Sequence, residues 1–574
     1  MSYAQAYADA VMRRGRVPME PADFVPDWAD RPRKGKFYPH AEHFPLPDGD
    51  SPPTATVQDG LFGEHRDGAF TLPLLGGMLR DSYGLTGRRL AVQANSDLGT
   101  LPFYTHANWS RGTASGGGLY PIGIHWVAGP SGPLAPGVYH YATPHHSMQR
   151  LLTGDVSGEV RAALGGLDEA EGVDQFLVLG VKFWQNAFKY NSFSYHVVTM
   201  DIGALLQTWR IWARARGLRI GAAFWFDEAR VGRLLGLPPQ EEGVFAVVPL
   251  RWAPPAGGGR AATPTPAPTA GVEVRPREHE RSRRVHTFDT VERIHAATLE
   301  GAADRPAPTA LARALSASAP PGVTASGAEA SGPGRAASTP SDAEASEAGQ
   351  AAPARTGADG PAPGSLLRLP PPEPLAAGVR EALRGRRSSF GRFTATASTT
   401  AAQLAAVLAA AAAGSELGSD VQRPGGPPLT RLYVFVNHVT GIPAGAYAYD
   451  PAAGALRLLR RGPQGEFLQR NYFLSNYNLE QAGAVITAAA PTPAVLAAVG
   501  DRGLRLVNAS VGAASQAVYT AAAALGLACG VALGFDCVSY AEELGLDGPG
   551  EIPLLIMMVG HERVDPADFS HAIA

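Results

Sequence analysis

The stretch DIGALLQTWRIWARARGLRIGAAFWFDEARVGRLLGL (Asp201–Leu237) lines up without a gap on SVGAASQAVYTAAAALGLACGVALGFDCVSYAEELGL (Ser510–Leu546). In that register Gln207 falls on Gln516, Gly217-Leu218 on Gly526-Leu527, Phe226-Asp227 on Phe535-Asp536, and Leu235-Gly236-Leu237 on Leu544-Gly545-Leu546. The match runs on to Glu242 and Glu551 and to GVFAVVPLR on IPLLIMMVGH, and upstream APGVYHYATPHHSMQRLL matches PAGAYAYDPAAGALRLL. Chance does not hold a register that long, and a period this large means a duplicated domain, not a solenoid. Each copy reads as a helix of apolar period three to four, a glycine turn, a short strand, a second helix and a final apolar strand. Hairpins at GVYHY and GAYAY follow the strand-like IGIHWVAG and RLYVFVN. The expectation is an α+β fold, helices on a central sheet, written twice.

At 574 residues the chain exceeds what one core holds, about 250–300 residues. The repeat divides it into an extended N-terminal lead-in strapped along the first copy (1–54), a first domain (55–253), a linker (254–374) and a second domain (375–574). The linker is rich in Ala, Pro, Gly and Ser and nearly lacks aromatics, so it reads as disordered: it buries too little apolar surface to offset its ordering entropy. Its basic run RPREHERSRRVH reads as a solvated patch. A net charge of −3 excludes the basic footprint of a nucleic-acid binder. Two cysteines, Cys529 and Cys537, make no disulfide framework and read as small buried hydrophobes in a reducing compartment. With no signal-peptide core at the N-terminus, a cytoplasmic protein is expected. Leu506–Phe535 carries no charge and is long enough to suggest a membrane helix. Its Asn508, its Gln516 and the arginines of its counterpart make it a core helix plus a buried strand, so no membrane contact is expected. His140, His145, His146 and His196 fit no compact ligand set, and no metal is expected.

Two motifs carry chemistry, and the copies divide them. RGRRSSFGRF (Arg384–Phe393) stands before the helical run AAQLAAVLAAAAAG, where guanidiniums and hydroxyls at a helix entrance suit a phosphomonoester. The first copy offers only LFGEHRDGAF there. SRGTASGGGLYP (Ser110–Pro121) is intact in the first copy and eroded to RPGGPPLTRLY in the second. Taken singly, the first is also a solvated turn and the second a plain glycine turn. Their complementary distribution fits a fused descendant of a symmetric dimer that keeps one good interface site. Lys189 stands out because lysine occurs only at positions 34, 36, 182 and 189. Either accident or a need for a titratable amine, which burial can neutralise and arginine cannot supply, accounts for it.

These residues resemble the nitroreductase-like flavin enzymes, whose homodimers hold FMN across the subunit interface. Arg386, Arg387 and Ser388 look like the family's FMN-phosphate signature; Arg392 follows only after the inserted Phe390-Gly391, a departure from the usual spacing. ALGFD (Ala532–Asp536) resembles the loop beside flavin N5, which assigns Gly534 there, and GHER (Gly560–Arg563) resembles the closing phosphate turn, which assigns Arg563. Within the superfamily the likeness is nearest to the SagB/McbC/ThcOx group of azoline dehydrogenases, through SRGTASGGGLYP, the PGVYHY hairpin and FKYNSFSYHVVTMDIGALLQ. That resemblance implies two nitroreductase-like α/β sandwich domains in tandem forming an intramolecular pseudo-dimer. It implies one FMN, with Ser115, Gly116, Gly117 and Gly118 against its ring, and a catalytic Lys189-Tyr190 pair whose second-copy counterparts are Ala498 and Val499. Three glycines would let the main chain lie close to a flat ring. The implied activity is FMN-dependent dehydrogenation of a thiazoline or oxazoline in a peptide natural-product pathway, with a peptide or small-molecule substrate and a cyclodehydratase partner. The alternatives are an NAD(P)H-dependent nitro- or quinone reductase, an oxidase of a carrier-bound intermediate, and a non-catalytic peptide-docking subunit.

Overall fold

In each copy a run of apolar segments forms one antiparallel sheet. The computed structural model describes residues 1–90, 107–253, 272–317, 362–422, 425–546, 550–563 and 569–573. The first half supplies β1 (Glu42–Pro45), β2 (Ile122–Ala128), β3 (Gly137–Ala142), β4 (Ser147–Thr153), β5 (Gln175–Lys182) and β6 (Glu242–Pro249). The second supplies β7 (Leu366–Arg368), β8 (Arg431–Val436), β9 (Gly445–Asp450), β10 (Ala455–Arg461), β11 (Ala484–Ala490), β12 (Ala528–Ala532) and β13 (Ile552–Glu562). The strand orders are β1-β4-β3-β2-β5-β6 and β7-β10-β9-β8-β11-β13, the same path twice, with β12 flanking β13. The central strands β2 and β5 are buried along their whole length, which is why they read as continuous apolar runs.

The helices that position the site are α1 (Tyr3–Arg13), α2 (Val57–Phe62), α3 (Trp184–Tyr190), α4 (Ser194–Arg214), α5 (Glu228–Leu234), α6 (Asp289–Leu299), α7 (Pro308–Ala317), α8 (Val379–Gly385), α9 (Thr492–Val499), α10 (Gly503–Ala524) and α11 (Cys537–Leu544). The long pair, α4 and α10, is buried almost all round, as helices in the middle of a molecule are. They cross where Gly203 of one meets Ala509 of the other and Gly512 meets Met200. A Cβ built on Gly203 would lie 1.8 Å from Ala509 O, and one on Gly512 2.0 Å from Met200 O. Gly203 and Gly512 are the same position of the repeat, so the contact is two-fold symmetric in the sequence as well as in space. A second symmetric contact joins the entrances of α2 and α8, where Val57 N donates to Ala377 O and Val379 N to Ala55 O, both at 2.9 Å. Leu506–Phe535 becomes α10 and β12, and no helix among the described residues is long and apolar enough to cross a membrane.

Three expectations need correction. The N-terminal segment opens on α1, which buries Ala4, Tyr7, Ala8 and Val11 and reaches the second half, where Arg14 donates to Cys537 Sγ at 3.3 Å and Arg16 to Asp536 at 3.3 Å. It is therefore not a purely extended strap on the first copy. Of the segment read as linker, 254–271 and 318–361 lie outside the described residues, but 272–317 is built into the core. Val291, Ile294, His295 and Thr298 form one buried face of α6, and Leu311 and Leu315 are buried on α7. Here Glu228 accepts from Arg502 at 2.9 Å and Arg505 at 2.8 Å, while Arg505 also reaches His295 Nδ1 at 3.0 Å. Burial raises the Glu228 pKa, but the two guanidiniums outweigh it and hold it at about 2. Finally, the short strand expected in both copies forms a ladder only in the second. In the first, Ala223 keeps a bridge to Val247, but the Ala222 backbone turns to the 418–420 segment instead: its N–H donates to Gly418 O and its carbonyl accepts from Asp420 N, both at 3.2 Å.

Candidate functional site

The glycine loop sits between the halves and both hold it. From the first half, Asp201 near the start of α4 accepts from Ser115 Oγ at 2.6 Å and from Gly116 N at 2.8 Å; Tyr120 N in turn donates to Ser115 Oγ at 2.9 Å. From the second, Arg386 at the end of α8 donates to Gly112 O at 2.8 Å and Arg111 O at 3.0 Å. Gln516 of α10 accepts from Ala114 N at 3.0 Å and donates to Gly112 O at 3.1 Å. Gly117 and Gly118 take φ of +62° and +64°, which only glycine adopts without strain.

The three glycines answer to different neighbours. A Cβ on Gly116 would meet Val197 Cγ1 at 2.2 Å, and one on Gly117 would meet the Tyr190 hydroxyl at 2.6 Å and Lys189 Nζ at 3.2 Å. Gly118 faces open space, with no atom within 4 Å of its Cβ position. Two glycines are thus required by the protein itself, and one leaves room for a ligand. The Lys189-Tyr190 pair, at the end of α3, closes on the loop, with Nζ 5.1 Å from the Tyr190 ring centroid.

Burial sets the protonation of this cluster. It lowers the Lys189 pKa, raises that of Tyr190 with help from the nearby Asp201, and pushes Asp201 itself up to about 7 against the hydrogen bonds of Ser115 and Gly116. Asp201 and Gln516 are the residues the sequence reading did not assign to the site. A charged residue inside an apolar helix, and a glutamine recurring at one position of both copies, were the available signals.

The basic motif has two parts. Ser388 Oγ shares a 2.7 Å hydrogen bond with the Tyr519 hydroxyl, and the Arg386 guanidinium lies 5.1 Å from the Tyr519 ring centroid. Further out, Arg387 and Arg392 each meet Glu562 at 3.0 Å, and Arg563 donates to Gly391 O at 3.3 Å. Glu562 stands where a phosphate would compete for the same guanidiniums. The donor set, three arginines with serine hydroxyls, suits a phosphate dianion. Gly534 O accepts from Phe473 N at 2.8 Å, and half-exposed Phe473 and Leu474 flank that strip. Tyr472, whose backbone bridges to Phe535, has its pKa raised by burial and further by the proximity of Tyr190. Among the described residues no cluster of His, Cys, Asp or Glu has the makings of a metal site.

Residues 383–561 match the nitroreductase family. The second half carries a nitroreductase-family domain. The whole chain shares its fold with a crystal structure described as a nitroreductase from Anabaena variabilis, at 20% identity and a TM-score of 0.66, over 98% of this chain and 100% of that one. Smaller overlaps are with a Ralstonia eutropha nitroreductase (22% identity, TM-score 0.28, 35% of this chain and 90% of that one) and with the Escherichia coli microcin synthetase McbBCD complex with truncated pro-MccB17 bound (20%, 0.27, 31% and 70%). Among curated proteins none matches. The nitroreductase-like fold expected from the motifs thus stands, with the family match itself confined to residues 383–561.

Proposed function

We propose that the chain is an FMN-dependent oxidoreductase, its two halves forming an intramolecular pseudo-dimer, that dehydrogenates a thiazoline or oxazoline ring of a peptide. The observation that carries the reading is the convergence on one loop: Lys189 and Tyr190 close on Gly117 from the first half while Arg386 and Gln516 of the second half hold its approach. The residues present fit the cofactor. Ser388, Arg387, Arg392 and Arg563 would hold its phosphate, Gly118 leaves backbone open for a flat ring, the Gly534 strip would lie beside it, and FMN when bound would accept the hydride.

The chain's own contribution is proton transfer and position. Because burial lowers the lysine and raises the tyrosine, the Lys189 amine is the better proton acceptor of the two, and the Tyr190 phenol stays protonated as a hydrogen-bond donor. Asp201 fixes the loop against which both act, and Phe473 with Leu474 offers an apolar lip for a peptide ring. A cyclodehydratase would supply the azoline.

The test is the purified chain's visible spectrum, its flavin-to-chain ratio and its activity on a thiazoline peptide. Yellow protein that converts the ring with uptake of dioxygen supports the reading. Colourless protein after FMN addition overturns it, and bleaching by NADPH alone without ring oxidation makes the protein a reductase instead.

A further inference from the structure

The symmetry that builds the first cleft also builds a second one, and its chemistry differs. In the repeat Gln207 occupies the place of Gln516, Arg210 that of Tyr519 and Arg214 that of Ala523. The matching entrances of α2 and α8 set Gly63 on Gly385, so Glu64 and His65 stand where the first cleft has Arg386 and Arg387. Around these residues is a cavity of about 340 Å³, in the range of small-molecule pockets. Its lining includes the basic Arg210, Arg214 and Arg219 and the apolar Pro308, Leu311 and Leu315 of α7.

The phosphate end has changed, since His65 stands in the place of Arg387 and a carboxylate, Glu64, in the place of the loop-holding Arg386, and cationic charge has moved inward. Burial lowers the His65 pKa, and Arg214, Arg210 and Arg219 lower it further, so the basic field reaches the mouth. Two carboxylates, Glu169 and Glu416, also line the space, and Glu416 is the one whose charge acts on Arg210. Arg214 is tied to Leu61 O at 2.8 Å and Gly63 O at 2.6 Å. Arg210 is different. Burial pulls its pKa down to about 10, and among the described residues its hydrogen bond is to Gln207 Oε1 at 3.1 Å, which leaves most of its five donors unused.

We propose that this second cleft binds a small organic carboxylate with an apolar body, its anionic end paired with Arg210 and its body against α7, and that it does not take a second flavin. The proposal rests on the fold and the two-fold register, not on the substrate of the first cleft.

The test uses the full chain with its flavin, titrated calorimetrically with 2-naphthoate and with neutral 2-naphthamide. One naphthoate should bind per chain, with the amide weaker by about tenfold or more. Arg210→Gln should cost a similar factor while the flavin-to-chain ratio stays unchanged. Leu311→Trp, which fills the cavity and leaves Arg210 in place, should abolish binding, so the outcome does not hang on the Arg210 variant folding. Equal affinity for acid and amide, no naphthoate binding, unaltered binding by a folded Arg210→Gln chain, or FMN titrating to two per chain would each overturn the proposal. Loss of flavin without loss of naphthoate binding would count against the first cleft alone.

Discussion

Lys189 and Tyr190 are adjacent in the chain yet burial moves them in opposite senses, and the direction decides which can take a proton. The dehydrogenation rate should therefore rise with pH as the lysine loses its proton, with a midpoint below the 10.5 of a free lysine. Lys189→Ala should lower kcat by about 10²–10⁴ and keep the flavin, and Lys189→Arg should do no better because a guanidinium stays charged. Asp201 has the opposite linkage to most acids. Its pKa rises from 3.8 to about 7 on folding, so the stability it contributes is full below 3.8 and is lost as the pH climbs to 7. Asp201→Asn should flatten that decline in a series of melting curves between pH 4 and 8. Glu562 is bonded to Arg387 and Arg392. Glu562→Gln should tighten FMN by about two- to fivefold in a fluorescence titration, the range of a partly exposed ion pair. A weakening instead would show that the carboxylate organises the arginines.

At the scale of elements, the crossing of α4 and α10 depends on the absence of two side chains. Gly203→Ala or Gly512→Ala places a methyl within about 2 Å of a backbone oxygen, so the helices must separate; each change should cost about 1–3 kcal/mol in denaturant unfolding, and the pair together more. The same substitution at Gly454 or Gly526 meets no neighbour and should cost only the strain of a positive φ. Periodicity made α4, α10 and the main strands legible, because each is long, apolar and repeated. It did not reveal α6: Phe288, Val291, Ile294, His295 and Thr298 lie on one face, but that face is short and sits in a segment whose average composition is polar and proline-rich. Nor did it show that the 418–420 segment, far along the chain, would draw off the Ala222 backbone from the strand expected there.

Over the whole molecule the chain crosses between its halves repeatedly. α1 leans on α11, α6 is held by arginines of α10, and the strand at Phe569–Ala572 pairs with Gly87–Leu90 of the first half. Residues 1–317 and 362–574 expressed separately should each aggregate, since either alone exposes the apolar flank of α4 or α10, whereas co-expression should recover a complex on a sizing column. Soluble, independently folded halves would contradict an obligatory interface.

The repeat, the division of the two motifs between its copies and the lysine-tyrosine pair were determined by the order of residues alone, since they are matters of register and spacing. Which glycine makes room for a ligand, which carboxylate orders the loop and what lies at the second cleft were decided only by the tertiary structure. Those answers depend on atoms hundreds of residues apart meeting within a few ångströms, and on burial, which no local pattern carries.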